Sequence, residues 1–345
     1  MSRTRLRVAD ERAEGATDAA PSGEVAILIP CYNEEPTVAR VVESFRAELP
    51  NARVYVFDNN STDRTAEEAR RAGAIVFHEP RKGKGYVVQS MFRLVDADFY
   101  VMVDGDDTYL AEAVHRLLAP VAEGKADMAV GSRLHAESQS QFKQLNRAGN
   151  RLVRATLNLI FRVRLSDILS GYRAFNRKFV KGLPLFGGGF EIETELTIKA
   201  VGRGFRLVEI PVDLVPRPDG SHSKIRFMRD GFLILNTTLA LFRDYKPLTF
   251  FGSVGLLLVL LSIIPGVLAA VGVEGLVAAS RVALALTALA LLLCGLLSIT
   301  AGLILHSIAR RSQEFEYHIE VLADELREGR SVGRDGHDGE EDAEA

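Results

Sequence analysis

Mostly apolar residues form five short runs between residues 25 and 131, and a helical stretch separates each run from the next. The runs are 25–30 (VAILIP), 53–57 (RVYVF), 74–77 (AIVF), 99–103 (FYVMV) and 127–131 (DMAVG). Helices are predicted over about 37–48, 64–72 and 85–95, with one more before the fifth run. Strands that do not alternate in polarity and are separated by helices are typical of a mostly parallel sheet covered on both faces. The pattern therefore predicts an α/β domain.

Two longer apolar runs, 250–271 and 282–305, contain no charged residue, and each is long enough to cross a bilayer. The connecting loop, 272–281, is short, and basic residues flank the pair at Arg243, Lys246, Arg310 and Arg311. The positive-inside rule puts both flanks in the cytoplasm. We therefore expect a multi-pass protein of the cell (inner) membrane with its α/β domain on the cytoplasmic side. Two buried core helices are the alternative.

These patterns divide the 345 residues into five segments. Residues 1–23 are polar and predicted to be a disordered lead, and 24–224 form the α/β domain. Residues 225–247 mix apolar and basic positions, which is typical of a helix lying in the membrane interface. The two spans occupy 248–309, where they could also pack between protomers to give a homo-oligomer. Residues 310–345 are predicted to be a cytoplasmic helix and an acidic disordered tail.

Composition narrows the function classes only slightly. The net charge is −3, and no basic stripe interleaved with aromatic residues is present, so we expect no nucleic-acid partner. The two cysteines, Cys31 and Cys294, lie in the α/β domain and in the second span. We therefore predict no disulfide.

Polar residues collect where the predicted strands end. The strand ends read Pro30-Cys31-Tyr32-Asn33-Glu34, Asp58-Asn59-Asn60-Ser61, Asp104-Gly105-Asp106-Asp107 and Gly131-Ser132-Arg133. In open α/β sheets, ligands bind beyond the carboxyl ends of the strands. We therefore expect these four ends to form one binding crevice.

The acidic turn after the fourth strand is a candidate metal site. Carboxylates as close as Asp104 and Asp106 repel one another unless a positive charge lies between them, and Mg²⁺ or Mn²⁺ beside a diphosphate would supply it. An EF-hand is excluded because its sixth position would be Tyr109 instead of Gly and its twelfth His115 instead of Glu. A solvated acidic turn is one alternative, and the Asp-x-Asp-x-Thr loop of a haloacid-dehalogenase-like phosphatase is another.

An ordered set of motifs resembles the family 2 glycosyltransferases. The motifs are IPCYNEE (29–35), DNNSTDRT (58–65), VDGDDTY (103–109), GSR (131–133), SGYRAF (170–175) and GSHSK (220–224). They are most similar to the polyprenyl-phosphate branch, which includes the dolichyl-phosphate mannose and glucose synthases, and the similarity covers about 25–247. It implies a GT-A domain, Rossmann-like and mostly parallel, followed by a transmembrane helical hairpin. The chain has no Trp and so lacks the Gln-x-x-Arg-Trp signature of processive members, which indicates one sugar per turnover.

The resemblance also implies roles for individual residues. Donor-nucleotide contacts are expected from Pro30, Tyr32, Glu34 and from Asp58 or Asn59, the latter standing where many relatives have a second acid. Asp104 and Asp106 would act in catalysis around the metal and are both candidate ligands, with Asp106 favoured as the direct one. Arg133 would act in catalysis by reaching the donor diphosphate, and Arg217, Ser223 and Lys224 would hold the acceptor phosphate.

Several residues keep two interpretations at this stage. Lys84, in Lys82-Gly83-Lys84-Gly85, could bind donor phosphate at a helix N-terminus or belong to a plain basic turn. Glu193 or Glu195 could be a catalytic base or an acid favoured by a helix N-terminus. Asp167, Ser170 and Arg173 could line the acceptor side or form a structural ion pair.

The resulting hypothesis is an inverting transfer of one hexose from a UDP- or GDP-linked sugar to undecaprenyl or dolichyl phosphate. Mg²⁺ or Mn²⁺ would be the cofactor, and the nucleotide sugar, the polyprenyl phosphate and the membrane would be the partners. Three rivals remain: a family 2 enzyme with another lipid or soluble acceptor, a phosphatase with an Asp nucleophile, and a catalytically silent membrane partner.

Overall fold

The computed structural model describes residues 7–8, 23–133, 158, 165–216, 227–271 and 278–335. The chain divides into two compact units, Met1–Leu241 and Phe242–Ala345. The first unit carries the predicted α/β domain, and the second carries the two long apolar runs.

An eight-stranded sheet forms the centre of the first unit. Its strands are β1 (Arg7–Val8), β2 (Val25–Cys31), β3 (Arg53–Asp58), β4 (Ile75–His78), β5 (Phe99–Met102), β6 (Met128–Ser132), β7 (Arg173–Asn176) and β8 (Leu207–Pro211). They lie in the order β1-β8-β6-β7-β5-β2-β3-β4. The five predicted strands are β2 to β6, within two residues at each end, which confirms the mostly parallel sheet.

Three strands were not predicted. Strand β7 lies between β5 and β6 and pairs antiparallel with both. Strand β1 pairs with β8 through Arg7 and Val8, so the prediction of a disordered lead over 1–23 is wrong at these two residues. The physical reason is that β8 would otherwise leave one row of backbone groups unpaired at the edge of the sheet. The rest of the lead lies outside the described residues.

Helices cover the sheet. They are α1 (Val38–Glu48), α2 (Thr65–Arg71), α3 (Lys84–Leu94), α4 (Val114–Ala122, after a 3₁₀ turn at Ala111–Ala113), α5 (Arg177–Gly182) and α6 (Ile192–Gly202). The spacing of Val38, Val41, Val42 and Phe45 puts one apolar stripe of α1 against the sheet, where all four are buried. The core formed in this way fixes the carboxyl ends of β2, β3 and β5 side by side.

Helix α7 (Phe227–Tyr245) follows, and then α8 (Pro247–Val271) and α9 (Ala278–Asp335). Two helical segments, Pro247–Val271 and Ser280–Ser312, are long and apolar enough to cross a membrane. Their side chains are mostly exposed, which does not fit the alternative of soluble core helices.

The two long helices pack through small residues. A Cβ on Gly255 would lie 2.6 Å from the carbonyl oxygen of Gly295, and the Ser298 hydroxyl donates a 2.8 Å hydrogen bond to the carbonyl of Phe251. Close backbone approach through glycine and serine is typical of helix pairs in membranes.

Candidate active site

The acidic turn after β5 is tightly built. The Asp106 carboxylate is buried and accepts a 2.6 Å hydrogen bond from the Thr108 hydroxyl. A Cβ on Gly105 would lie 2.6 Å from the Cys31 sulfur, so the turn lies flush against the end of β2. The hydroxyl of Thr37, the residue that precedes α1, donates to the Gly105 carbonyl at 2.7 Å. Two strands and a helix thus hold the two candidate metal ligands, Asp104 and Asp106.

The pKa of the Cys31 thiol is affected by the negative charge of this region. Burial raises the pKa of Cys31 well above its ordinary value, and the carboxylates of Glu34, Asp58, Asp104 and Asp106 raise it further. Four acids from the ends of β2, β3 and β5 therefore act on one atom. The structure brings these strand ends together, and their summed negative charge suits a cation.

Lys84 places a positive charge in this acidic region. Its ammonium lies 2.5 Å from a carboxylate oxygen of Asp104 and 2.5 Å from one of Glu193. Burial alone would lower the pKa of Lys84, but the two carboxylates outweigh it and hold the pKa well above its usual value. Lys84 is therefore a buried ammonium at the acidic turn, which does not fit a plain basic turn.

The side chain of Asn59 holds the loop at residues 79–83, which precedes Lys84. Its amide nitrogen donates to the carbonyls of Glu79 and Arg81, at 3.1 and 2.7 Å, and its side-chain oxygen accepts from the N–H of Gly83 at 2.7 Å. A second acid at this position could not donate these bonds. The structure gives Asn59 the role of positioning the loop, while its contact with a nucleotide stays a prediction.

Glycines allow two backbone segments to touch beside Lys84. A Cβ on Gly83 would lie 2.0 Å from the carbonyl oxygen of Gly188, and a Cβ on Gly85 would lie 2.0 Å from that of Gly187. Any side chain at either position would displace the opposing backbone. The segment before α6 thus forms a wall of the site, and its three consecutive glycines, 187–189, were the only sign of it in the sequence.

The two candidate bases have different surroundings. Glu193 faces the acidic turn through Lys84. Glu195 pairs with Lys199 at 2.6 Å and accepts hydrogen bonds from the N–H groups of Phe186 and Gly187, at 2.9 and 2.7 Å. These contacts make Glu195 an anchor for the glycine segment, and Glu193 is the acid that adjoins the site.

The remaining predicted donor residues lie at the ends of β2 and β3. The Tyr32 hydroxyl accepts a 2.9 Å hydrogen bond from Lys82, and Pro30 is half-buried within β2. The Glu34 and Asp58 side chains are buried, and the N–H of Glu34 donates to the Thr65 hydroxyl at 2.8 Å. These contacts hold both strand ends in place, and nucleotide binding by these residues stays a prediction.

Arg133 directly follows β6 and forms a two-pronged ion pair with buried Asp167, with N···O distances of 2.5 and 2.8 Å. Burial alone would lower the pKa of Arg133, but the Asp167 carboxylate outweighs burial and raises it. Burial alone would raise the pKa of Asp167, but the Arg133 guanidinium outweighs burial and lowers it. Asp167 therefore belongs to an ion pair, and its partner is Arg133.

Arg173 has a separate structural task. Its guanidinium is fully buried and donates to the carbonyls of Ile168, Ser170 and Glu193, at 2.6, 2.9 and 3.1 Å. It thereby ties the segment before β7 to the start of α6. Arg217, Ser223 and Lys224, predicted to bind the acceptor phosphate, lie outside the described residues.

The chemistry of the acidic turn fits a divalent cation that arrives with a phosphate ligand. Asp104 and Asp106 offer hard carboxylate oxygens, and the described residues contain no group of three or more His, Cys, Asp or Glu placed to hold a metal. Mg²⁺ commonly uses one or two carboxylates and takes its other ligands from water and substrate phosphates. The site has the donor set for such sharing.

The chain is similar in sequence to known glycosyltransferases. The family model "Glycosyl transferase family 2" matches residues 26–183. The glycosyltransferase AglJ of Haloferax volcanii is 40% identical over 235 residues, which cover 67% of this chain and 76% of AglJ. A dolichyl-phosphate hexose transferase of the same organism is 27% identical over 189 residues, covering 55% of this chain and 82% of that protein.

Among solved structures, glucosyl-3-phosphoglycerate synthase from Mycobacterium tuberculosis, in complex with Mn²⁺, UDP-glucose and phosphoglyceric acid, has the same fold. The TM-score is 0.53 at 21% identity, and the match covers 64% of this chain and 80% of that one. This likeness supports the predicted GT-A fold.

Proposed function

Because the chain belongs to glycosyltransferase family 2, we propose that it transfers one hexose from a UDP- or GDP-linked sugar to a polyprenyl phosphate. The acceptor would be undecaprenyl or dolichyl phosphate, and the enzyme would be anchored in the membrane by its two apolar helices. The similar protein named a dolichyl-phosphate hexose transferase supports this choice of acceptor. The protein of the same fold that was solved with Mn²⁺ and UDP-glucose supports a nucleotide sugar as the donor and a divalent cation as the cofactor.

The observation that carries the proposal is the acidic turn beside Lys84. When the sugar leaves, negative charge builds on the β-phosphate of the donor. A divalent cation held by Asp104 and Asp106 would act as a Lewis acid for that charge. The Lys84 ammonium would stabilise the same charge, and it is already fixed in place by Asp104 and Glu193.

On the acceptor side, little proton transfer is needed. The second pKa of a phosphate monoester is about 6, so the acceptor is mostly ionised at pH 7. Arg217, Ser223 and Lys224 would bind and orient it, and attack opposite the leaving diphosphate would invert the anomeric centre. Glu193 would then serve mainly to hold Lys84, not to remove a proton.

Arg133 completes the proposed donor site. Its pairing with Asp167 fixes the guanidinium plane at the end of β6. Burial opposes the charge of Arg133, and Asp167 and, to a smaller extent, Asp104 raise its pKa. From this position Arg133 would contact the donor diphosphate.

The test uses the full chain purified in detergent with undecaprenyl phosphate and Mn²⁺ or Mg²⁺. Radiolabelled UDP-glucose, UDP-N-acetylglucosamine and GDP-mannose are supplied separately, and label is followed into the organic phase. Label from one donor, lost with EDTA, is the expected result. Label that enters only a soluble acceptor would overturn the lipid acceptor.

The same preparation tests the other rivals. Release of inorganic phosphate from phosphoesters without a nucleotide sugar would favour the phosphatase. Nucleotide-sugar binding without turnover under any acceptor would favour a silent partner.

A further inference from the structure

The segment between α5 and α6 displays an aromatic side chain to solvent. Residues 184–189, which we term the Phe186 loop, carry Phe186 with 78% of its surface exposed, and Pro184, two residues before it, is also exposed. No other large apolar residue of the described first unit is as exposed. Single exposed apolar side chains are common on protein surfaces, whereas contiguous apolar patches mark contacts with a partner or a membrane. Phe186 therefore counts here together with Pro184 and Leu185, which are exposed and half-buried in the same loop.

A buried ion pair holds the loop in shape. Glu195 and Lys199 lie 2.6 Å apart, and their side chains are only 3% and 4% exposed. The Glu195 carboxylate accepts from the N–H groups of Phe186 and Gly187, whereas Lys199 donates to the carbonyl of Pro184 at 2.6 Å. The Lys199 ammonium also lies 4.1 Å from the centre of the Phe186 ring.

The ion pair that supports the loop is costly to bury. Removing two opposite charges from water is unfavourable, and their attraction recovers the cost only when further hydrogen bonds complete the pair. Here Glu195 and Lys199 complete their bonds with the loop backbone. The result is a rigid support for Phe186, so its exposure is not the result of a loosely held loop.

The loop lies beside the helix that precedes the first candidate span. A Cβ on Gly189 would lie 3.3 Å from a methyl carbon of Leu233, a partly exposed residue of α7. Helix α7 ends at Tyr245 and α8 begins at Pro247, so a single residue separates the helix next to the loop from the membrane-crossing candidate. This continuity of the chain favours a lipid surface as the partner of the loop.

A groove of about 350 Å³ adjoins the loop, and its lining combines apolar and basic side chains. Leu183, Pro184 and Leu185 contribute an apolar wall, and Arg81, Arg93 and Lys181 line it with positive charge. Arg81 pairs with Glu79 at 2.9 Å and Lys181 has Asp96 at 3.7 Å, so the excess of positive charge at the groove comes from Arg93. Apolar residues next to cations suit the boundary between acyl chains and anionic headgroups.

We propose that the Phe186 loop inserts into the interfacial layer of the bilayer and is a membrane contact separate from the two apolar helices. This inference rests on the membrane anchoring in the proposed function. The carbonyls of Gly187 and Gly188, which follow Phe186, touch Gly83 and Gly85 on either side of Lys84. Binding of the loop to lipid would therefore fix the distance between the active site and the membrane surface.

The absence of tryptophan from the chain allows a direct test, because Phe186→Trp creates a single fluorophore. The full chain is reconstituted into bilayers of neutral and anionic phospholipids with brominated acyl chains, without polyprenyl phosphate or nucleotide sugar. We expect blue-shifted emission and about twofold quenching by bromine placed near the headgroups, since interfacial side chains lie only 5–10 Å deep.

Two matched variants calibrate the measurement. Ile75→Trp, at a 46% exposed position on the edge strand β4, should stay unquenched, and Leu257→Trp, at a 56% exposed position of α8, should be quenched. Pro184→Trp gives a second reading from the loop if the first variant does not fold.

The outcomes separate the loop from the anchor. Quenching of Leu257→Trp with neither loop variant quenched overturns the proposed insertion and leaves the anchoring intact. Quenching of neither Leu257→Trp nor the loop variants overturns both. A blue shift that appears only after polyprenyl phosphate is added overturns the bilayer contact and assigns Phe186 to acceptor binding instead.

Discussion

The ammonium of Lys84 lies 2.5 Å from a carboxylate oxygen of Asp104, and this contact joins the start of α3 to the turn that follows β5. The loop that carries Lys84 is itself held by Asn59 at the end of β3. A change at any of these points should therefore alter both the charge and the shape of the proposed donor site.

Lys84 and Glu193 form a pair whose two charges depend on each other. Lys84→Met removes the ammonium that neutralises the carboxylates of buried Glu193 and partly exposed Asp104, so the free energy of unfolding should fall by about 3–5 kcal/mol. Lys178→Met, at an exposed position of α5, should change it by less than about 0.5 kcal/mol. Thermal or denaturant unfolding in detergent measures both variants.

The double variant Lys84→Met/Glu193→Gln separates stability from function. It should recover most of the lost stability, because the unpaired carboxylate of Glu193 is gone. It should not recover sugar transfer, because the ammonium for the departing diphosphate is still missing. A double variant with wild-type turnover would show that Lys84 only neutralises Glu193.

Asp106 tests the acidic turn with little change in shape. Asp106→Asn keeps an oxygen that can accept the hydrogen bond of Thr108, so the melting temperature should shift by only a few degrees. Transfer should fall at least about 100-fold, since the charge that would hold the cation is removed. Initial rates over a Mn²⁺ titration measure the effect, and normal turnover by a folded variant would refute the metal assignment.

Gly85 tests the backbone contact between the Lys84 loop and the glycine segment. Gly85→Ala would put a Cβ 2.0 Å from the carbonyl oxygen of Gly187, so the two segments must separate, at a cost of about 1–3 kcal/mol. Gly182→Ala is the matched control, because its Cβ would meet only Phe205 at 3.9 Å. We expect Gly85→Ala to raise the KM for the donor and Gly182→Ala to leave it unchanged. Equal effects of the two substitutions would contradict the contact.

The loop before Lys84 should be sensitive to acid through Glu79. Hydrogen bonds from Arg81 and Ser90 outweigh burial and lower the pKa of Glu79 from 4.5 to about 2. Because the folded state favours the ionised form, the stabilisation is complete above pH 4.5 and is lost as the pH falls toward 2. Since the Arg81 side chain is half exposed, we expect the effect to be about 1 kcal/mol.

Glu79→Gln isolates this contribution from the other carboxylates. The difference in melting temperature between the wild type and this variant should be largest near pH 6 and should shrink steadily below pH 4.5. A difference that stays constant with pH would show that Glu79 acts through packing and not through charge.

The sequence predicted the buried strands well, because a strand covered on both faces reads as a continuous apolar run. It missed β7, whose four residues, Arg173–Asn176, include a buried arginine that only tertiary contacts explain. Asp104 and Asp106 stood out because acids directly follow an apolar strand. The contact of Lys84 with Glu193 could not be predicted, since it depends on how α3 and α6 pack.

The same limit applied to residues whose partners are distant in the chain. Asn59 was expected to contact the nucleotide, and its bonds to the loop at residues 79–83 appear only in the folded chain. In the sequence, Glu195 could be a catalytic base or an acid at a helix N-terminus. Its hydrogen bond from the N–H of Phe186 depends on how the loop before α6 folds back onto the helix.

The most direct test of the account identifies both products of one reaction. The full chain is incubated with polyprenyl phosphate and the active nucleotide sugar, the lipid is analysed by mass spectrometry, and the released nucleotide is separated by chromatography. The account predicts a lipid heavier by one hexose residue and an equal amount of nucleoside diphosphate, both dependent on a divalent cation. Release of nucleoside monophosphate, with transfer of a sugar phosphate to the lipid, would contradict it.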